Sequence, residues 1–129
     1  MAKSNLRAIG RIGEDAVCRL LETRGCEILC RNYTIKGGEI DIIARQEEWL
    51  LFVEVKTRRQ NALVSGTIAV NRQKQQRILQ TALRYLMEHP LDLQPRFDVA
   101  EVEYTGSVVR HIHYIERAFD ASSPNSYGF

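Results

Sequence analysis

Long apolar runs, paired cysteines and a strong net charge are all missing from this 129-residue chain, and each absence narrows what it can be. No apolar stretch approaches the ~20 residues a bilayer-spanning helix needs, and neither end reads as a basic-then-apolar signal segment. The expectation is a soluble cytoplasmic protein with no membrane partner. Cysteine is scarce: Cys18, Cys26 and Cys30 are an odd number without a paired-motif spacing, which fits a reducing compartment rather than a disulfide framework. Net charge is only +2, from 18 basic and 16 acidic residues, so any affinity for nucleic acid must come from clustered cations. There is no glycine-rich phosphate loop and no serine-nucleophile elbow. Nor do aromatics interleave with the basic residues, which argues against base stacking and sequence readout.

What is present is an ordinary globular composition, 44% hydrophobic and 26% charged, in a chain long enough to bury one core. A single domain over residues 1–120 is expected, with residues 121–129, rich in serine, as a disordered tail. Apolar residues recur at helical spacing over residues 5–24 (Leu6, Ile9, Ala16, Val17, Leu20, Leu21), with Ser4 or Asn5 to cap the start and Gly25 where helices stop. Gly10 and Gly13 are unusual inside that helix, each costing ~1 kcal/mol relative to Ala. Close packing on a strand, or a break, would account for them.

Strands are expected at 26–35 and 39–45, joined by a turn at Lys36-Gly37-Gly38, and at 49–57. Residues 58–70 read as a flexible loop. A second amphipathic helix over Arg72–Glu88 would bury Ile78, Leu79, Ala82, Leu83, Leu86 and Met87. Two further strands, 96–104 and 107–115, complete the order. The fold class is therefore α/β: one mixed five-stranded sheet flanked by helices, the second helix crossing between the third and fourth strands.

Asp41 in the second strand and Glu54 and Lys56 in the third carry the chemical interest. Glu54 and Lys56, two apart, share a strand face. Asp41 joins them only if opposed residue numbers in that hairpin sum to an odd value. A two-residue turn at Gln46-Glu47 sets Asp41 opposite Phe52, and a four-residue loop through Trp49 sets it opposite Glu54. A three-residue turn would separate the carboxylates. An isolated Glu-x-Lys is usually a strand end emerging into water with a cheap ion pair. An acid in the neighbouring strand shifts the balance, because buried carboxylates need compensation that a divalent cation with a phosphate provides. Glu39 has Asp41's parity and reads either as part of that shell or as a strand-edge charge. Arg58, Arg59, Arg72, Lys74 and Arg77, clustered after the third strand, are candidate phosphate contacts, with Lys74 and Arg77 on one helix flank. Arg84 reads as a solubilising residue. Other candidates are weaker. His111 and His113 share a strand face without a third ligand, Cys26 and Cys30 lie too far apart for one zinc, and Cys18 reads as core. Arg96 and Asp98 share parity and read as a structural brace.

Taken together, Gly13-Glu14, Arg31-Asn32, Gly38-Glu39-Ile40-Asp41, Phe52-Val53-Glu54-Val55-Lys56-Thr57-Arg58 and Arg96-Phe97-Asp98-Val99 resemble the bacterial YraN-type family. That family is itself similar to PD-(D/E)xK, restriction-endonuclease-like nucleases, nearest in pattern to archaeal Holliday-junction resolvases. The resemblance spans roughly residues 6–119 and is weakest over 59–73. It implies a restriction-endonuclease-like fold and metal-dependent hydrolysis of nucleic acid, DNA of branched or flapped shape before other substrates. Asp41 and Glu54, with the carbonyl of Val55, would hold Mg²⁺ or Mn²⁺. Lys56 would orient or help deprotonate the attacking water. Glu14, otherwise a solvated helix residue, would reach in as a further, water-mediated ligand. A homodimer would suit a junction substrate. The competing readings are a non-catalytic nucleic-acid-binding module and a protein-interaction domain that keeps the fold.

Overall fold

The computed structural model describes residues 3–61 and 71–120, with side chains from Leu6 onward. The 121–129 tail and most of the expected 58–70 loop lie outside the described residues. Seven elements follow in order: α1 (Lys3–Thr23), β1 (Glu27–Ile35), β2 (Gly38–Gln46), β3 (Trp49–Arg59), α2 (Arg72–Glu88), β4 (Gln94–Thr105) and β5 (Val108–Phe119). The five strands form one sheet in the order β1-β2-β3-β4-β5. Every neighbouring pair is antiparallel except β3 and β4, which run parallel because α2 carries the chain back to its starting end. This is the α/β architecture expected of a restriction-endonuclease-like domain.

A helix covers each face, so the central strands are apolar on both sides. In β3, Leu50 and Phe52 enter a core with Ile78, Ala82 and Tyr85 of α2, while Leu51 and Val53 enter a second core with Val17, Cys18 and Leu21 of α1. Beyond Val53 the same alternation delivers Glu54 and Lys56 to the α2 side, where the core gives way to charge.

Several elements depart from the sequence-based expectation. Helix α1 begins at Lys3, so Ser4 and Asn5 lie within it and neither is its cap. Leu6, expected on the buried stripe, stays 55% exposed. Its C-terminus closes as anticipated: Gly25 takes φ +85, its N–H donates to the Glu22 carbonyl, and the Cys26 N–H donates to the Leu21 carbonyl. That is a Schellman cap, which needs the left-handed backbone that glycine tolerates. The helix runs unbroken through both internal glycines. A Cβ at Gly13 would collide with the Thr57 hydroxyl of β3, so close packing accounts for that one; Gly10 has open space instead.

The buried stripe of α2 is rotated from the expected one. Gln75, Ile78, Thr81, Ala82 and Tyr85 face inward, while Leu83 and Met87 are exposed at 59% and 72%. Tyr85 explains the rotation, since its ring meets those of Phe52 and Tyr33 edge-on. Leu79 and Leu86 flank the core rather than fill it. The β1–β2 turn is tighter than expected, only Lys36 and Gly37, with Gly38 already paired opposite Ile35. Gly38 lies under α2: a Cβ there would strike the Thr81 hydroxyl and approach the Arg77 carbonyl to 3.3 Å. Gly38→Ala should therefore push α2 off the hairpin and cost about 1–3 kcal/mol, read as a lowered midpoint in urea denaturation.

Strand β5 runs on to Phe119, four residues past its expected end, bringing Ala118 and Phe119 into the core. The extension is organised by Asp98, which is buried. Its carboxylate accepts a fork from Arg96 (Nε to Oδ1, 3.0 Å; NH2 to Oδ2, 2.9 Å), the Tyr114 hydroxyl at 2.6 Å and the Arg117 backbone N–H at 3.0 Å. The expected brace between Arg96 and Asp98 is thus present; Asp98 pairs with Val53, one position from Glu54 in the register, and shares Val53's face rather than that of Glu54.

Candidate metal and phosphate site

Strands β2 and β3 pair from Gln46 opposite Trp49 to Ile42 opposite Val53, joined by the two residues Glu47 and Glu48. Opposed numbers sum to an odd value, the parity that convergence requires. The register matches the four-residue alternative, reached through a two-residue turn one position later than Gln46-Glu47. Glu47 takes φ +54 to make that turn.

Regular pairing stops one step before Asp41 and Glu54. There the Asp41 carboxylate takes over as acceptor: its Oδ2 receives the Val55 backbone N–H at 2.7 Å. On the other side, β1 passes from Arg31 opposite Ile42 to Tyr33 opposite Ile40, and the intervening Asn32 adopts φ +55. Asp41 is therefore wedged where the ladder opens on both sides, a place regular pairing would deny to a side chain.

Glu54 is buried, 6% exposed, and its Oε2 lies 3.2 Å from Lys56 Nζ and 3.5 Å from Lys74 Nζ. Lys74 stands in the first turn of α2, which Asn71 caps by accepting the Lys74 backbone N–H at 2.8 Å. The cap fixes where α2 starts and so delivers Lys74 to Glu54. Glu14 comes from α1 on the opposite face. Its Oε1 accepts from Arg31 at 3.3 Å and from Asn32 Nδ2 at 3.2 Å, while Arg31 also reaches Asp15 at 2.8 Å.

Burial pushes the Asp41 carboxyl up to about 8, and the negative charge of Glu54 adds to it. The Val55 N–H relieves part of this, and Glu14 and Glu39 contribute smaller repulsions. The site is thus short of positive charge around Asp41, although Lys56 and Lys74 stand beside Glu54. Among the described residues no three His, Cys, Asp or Glu side chains are gathered into a ready-made metal cage. The donor set is two carboxylates at the centre and a third held back by Arg31 and Asn32. Magnesium and manganese suit such a set, since hard ions take oxygen ligands and keep several waters and substrate oxygens.

The remaining candidates sort by position. Glu39 is exposed, receives Thr34 Oγ1 at 3.4 Å and lines a cleft of about 470 Å³ with Lys74 and Arg77, so it stands on the rim. Lys74 and Arg77 share that cleft, as their helical spacing implies. Arg58 turns toward Glu103 of β4 at 3.4 Å, whereas Arg59 and Arg72 are exposed at either end of the undescribed segment. Of the five basic residues, Lys74 reaches a central carboxylate. His113 Nδ1 lies 3.2 Å from Glu101 Oε1, and His111 stands opposite Glu103. Burial raises the thiols of Cys18, Cys26 and Cys30, which leaves them poor nucleophiles. No helix among the described residues is long and apolar enough to cross a membrane.

Residues given no role from sequence prove to matter here. Arg31 and Asn32 set the position of Glu14, and Asn71 sets that of Lys74. Asn was the available signal in both cases, since it tolerates left-handed backbone and favours helix caps.

The family model for "Uncharacterised protein family UPF0102" matches residues 13–102, which include Glu14, Asp41, Glu54 and Lys56. Similar proteins of that name occur in Syntrophotalea carbinolica, 45% identical over 114 residues (88% of this chain, 92% of the relative). Another, in Parafrankia, is 47% identical over 106 residues (78% and 87%). A third, from Alkaliphilus metalliredigens, is 42% identical over 114 residues (88% and 98%). The identity and the coverage in both directions agree with the YraN-type resemblance: the chain belongs to the uncharacterised family UPF0102.

Proposed function

We propose that this protein hydrolyses phosphodiester bonds in nucleic acid with the help of a divalent metal, and that DNA of branched or flapped structure is its substrate. The observation that carries this reading is the wedged, charge-starved Asp41 beside a buried Glu54 and two lysines. A fold gains nothing in stability by opening two ladders to set one carboxylate against another. A purely binding module would gain nothing by placing them beside phosphate either.

Asp41 and Glu54 would hold the ion, with Glu14 joining through a water while Arg31 and Asn32 keep it in reach. Mg²⁺ or Mn²⁺ bound there supplies a Lewis acid for the phosphoryl oxygens and lowers the pKa of a water. Lys56 offers its ammonium from Glu54's own strand face, where it orients the attacking water and offsets charge that grows on the phosphoryl group. Lys74, from α2, adds a second cation on the other side of Glu54 and continues with Arg77 into the hairpin cleft. The Val55 N–H holds the Asp41 carboxylate in place throughout. A homodimer would present two such sites, which suits a branched substrate cut on two strands.

The test is a cleavage panel of single-stranded, duplex, flap and four-way-junction DNA, plus RNA of the same sequence, in Mg²⁺ or Mn²⁺. Cutting of branched DNA in preference to duplex is the expected result. Intact substrates throughout, with binding retained, would favour the binding-module reading.

A further inference from the structure

A second cleft, of about 680 Å³, opens between α1 and β1, with Glu14, Arg31 and Asn32 at one end and Arg7, Gly10 and Arg11, which take no part in the mechanism above, along the rest. Arg7, Gly10, Arg11 and Glu14 line it from one face of α1, at the i, i+3, i+4, i+7 spacing that aligns side chains along a helix. Arg31 lines it from β1 and is neutralised by Glu14 and Asp15. Arg7 and Arg11 are exposed and have no acidic partner among the described residues. Among the described residues no aromatic side chain lines the cleft.

Gly10 lies between these arginines with nothing within 4 Å of where its Cβ would stand. Gly13 is required by the packing of α1 on Thr57, but packing gives no reason for Gly10, which carries the helix penalty of glycine all the same. A bare backbone between two unpartnered guanidiniums, next to a candidate metal ligand, is suited to a phosphate chain lying close against the helix.

We infer that this cleft binds the sugar–phosphate backbone of the nucleic acid, on the opposite side of Asp41 and Glu54 from Lys74 and Arg77. Arg7 and Arg11 hold phosphates and Gly10 allows the strand to approach the helix. The inference rests on the nuclease reading and extends it by giving the substrate a path: in along α1, across the carboxylates, and out past α2. Recognition here is by phosphate, so it is salt-sensitive and indifferent to base sequence.

The test measures binding of a fluorescent flap DNA by anisotropy, as a function of salt, in an Asp41→Asn background that needs no cleavage. Adding Arg7→Gln and Arg11→Gln together should weaken binding roughly tenfold and reduce the salt slope by about 1.5. The charge-matched control, Arg84→Gln with Arg110→Gln, should leave the slope unchanged. Gly10→Gln should raise Tm, because the helix improves, yet weaken DNA binding, an opposition that a merely structural glycine would not show. Equal loss in the control, or full binding by both cleft variants while Lys74→Gln with Arg77→Gln abolishes it, would overturn the cleft and leave the nuclease reading standing. No DNA binding by the parent protein would sink the nuclease reading, and the cleft with it.

Discussion

Asp41→Asn should reduce cleavage by roughly 10³-fold or more and leave nucleic-acid binding intact or stronger. The two effects part company because Asp41 has two relations to the substrate. As a ligand it would fix the ion, and an amide oxygen is a much poorer partner for a hard divalent cation. Once ionised, which in the metal-free protein happens only above about pH 8, it is also a charge that repels the phosphates, and the amide removes that repulsion. The amide keeps an oxygen to accept the Val55 N–H, so the wedge between β2 and β3 survives. Glu54→Gln should behave alike for cleavage, with Lys56 and Lys74 freed toward the substrate. The measurement is a parallel cleavage and anisotropy series at one salt concentration. Loss of binding in a folded Asp41→Asn protein would count against the site.

The metal-free protein should lose stability as pH rises from about 4 to 8, by at most about 6 kcal/mol attributable to Asp41. In the unfolded chain the carboxyl ionises near its usual value of 3.8; in the folded protein it keeps its proton up to about 8. Below pH 3.8 both states are protonated and the contribution is complete. Between the two values the unfolded state ionises while the folded state does not, so folding is progressively disfavoured. Above pH 8 both are charged and the loss is finished. Lys56 and Lys74 soften this by standing near Glu54, while Glu14 and Glu39 add to it. Asp41→Asn should flatten that part of the profile in metal-free urea denaturation and make the variant the more stable protein at pH 8.5. A variant whose profile keeps the wild-type slope would show that Asp41 is not the group responsible.

The same physics separates what could be read from the chain and what could not. The run Trp49–Val55 and the charges after it placed β3, its two buried faces and the emergence of Glu54 and Lys56, because period-2 alternation is a local property. Convergence of Asp41 needed an odd register, and sequence allowed this without choosing a turn. The buried face of α2 departs from its hydrophobic pattern: Gln75 and Thr81 are buried and Leu83 and Met87 are not. Hydrophobicity predicts burial only when no neighbour dictates otherwise, and here Tyr85 and the closeness of Gly38 to Thr81 dictate it. The hold of Arg31 and Asn32 on Glu14 depends on a left-handed residue in β1 meeting a helix on the far face, 18 residues away in the chain. Spacing alone carries no trace of such a contact. Proximity in sequence groups Arg58 with the phosphate contacts, and its place in β3 also sets it beside Glu103, a contact that spacing does not reveal.

A calorimetric titration of Mn²⁺ into the protein, at pH 6 and pH 8, bears most directly on the central claim. Asp41 as a ligand must lose its proton before the ion can bind. The account therefore predicts binding at least tenfold tighter at pH 8, with proton release, and loss of that binding in Asp41→Asn. Equal Mn²⁺ affinity in wild type and Asp41→Asn at both pH values would contradict it.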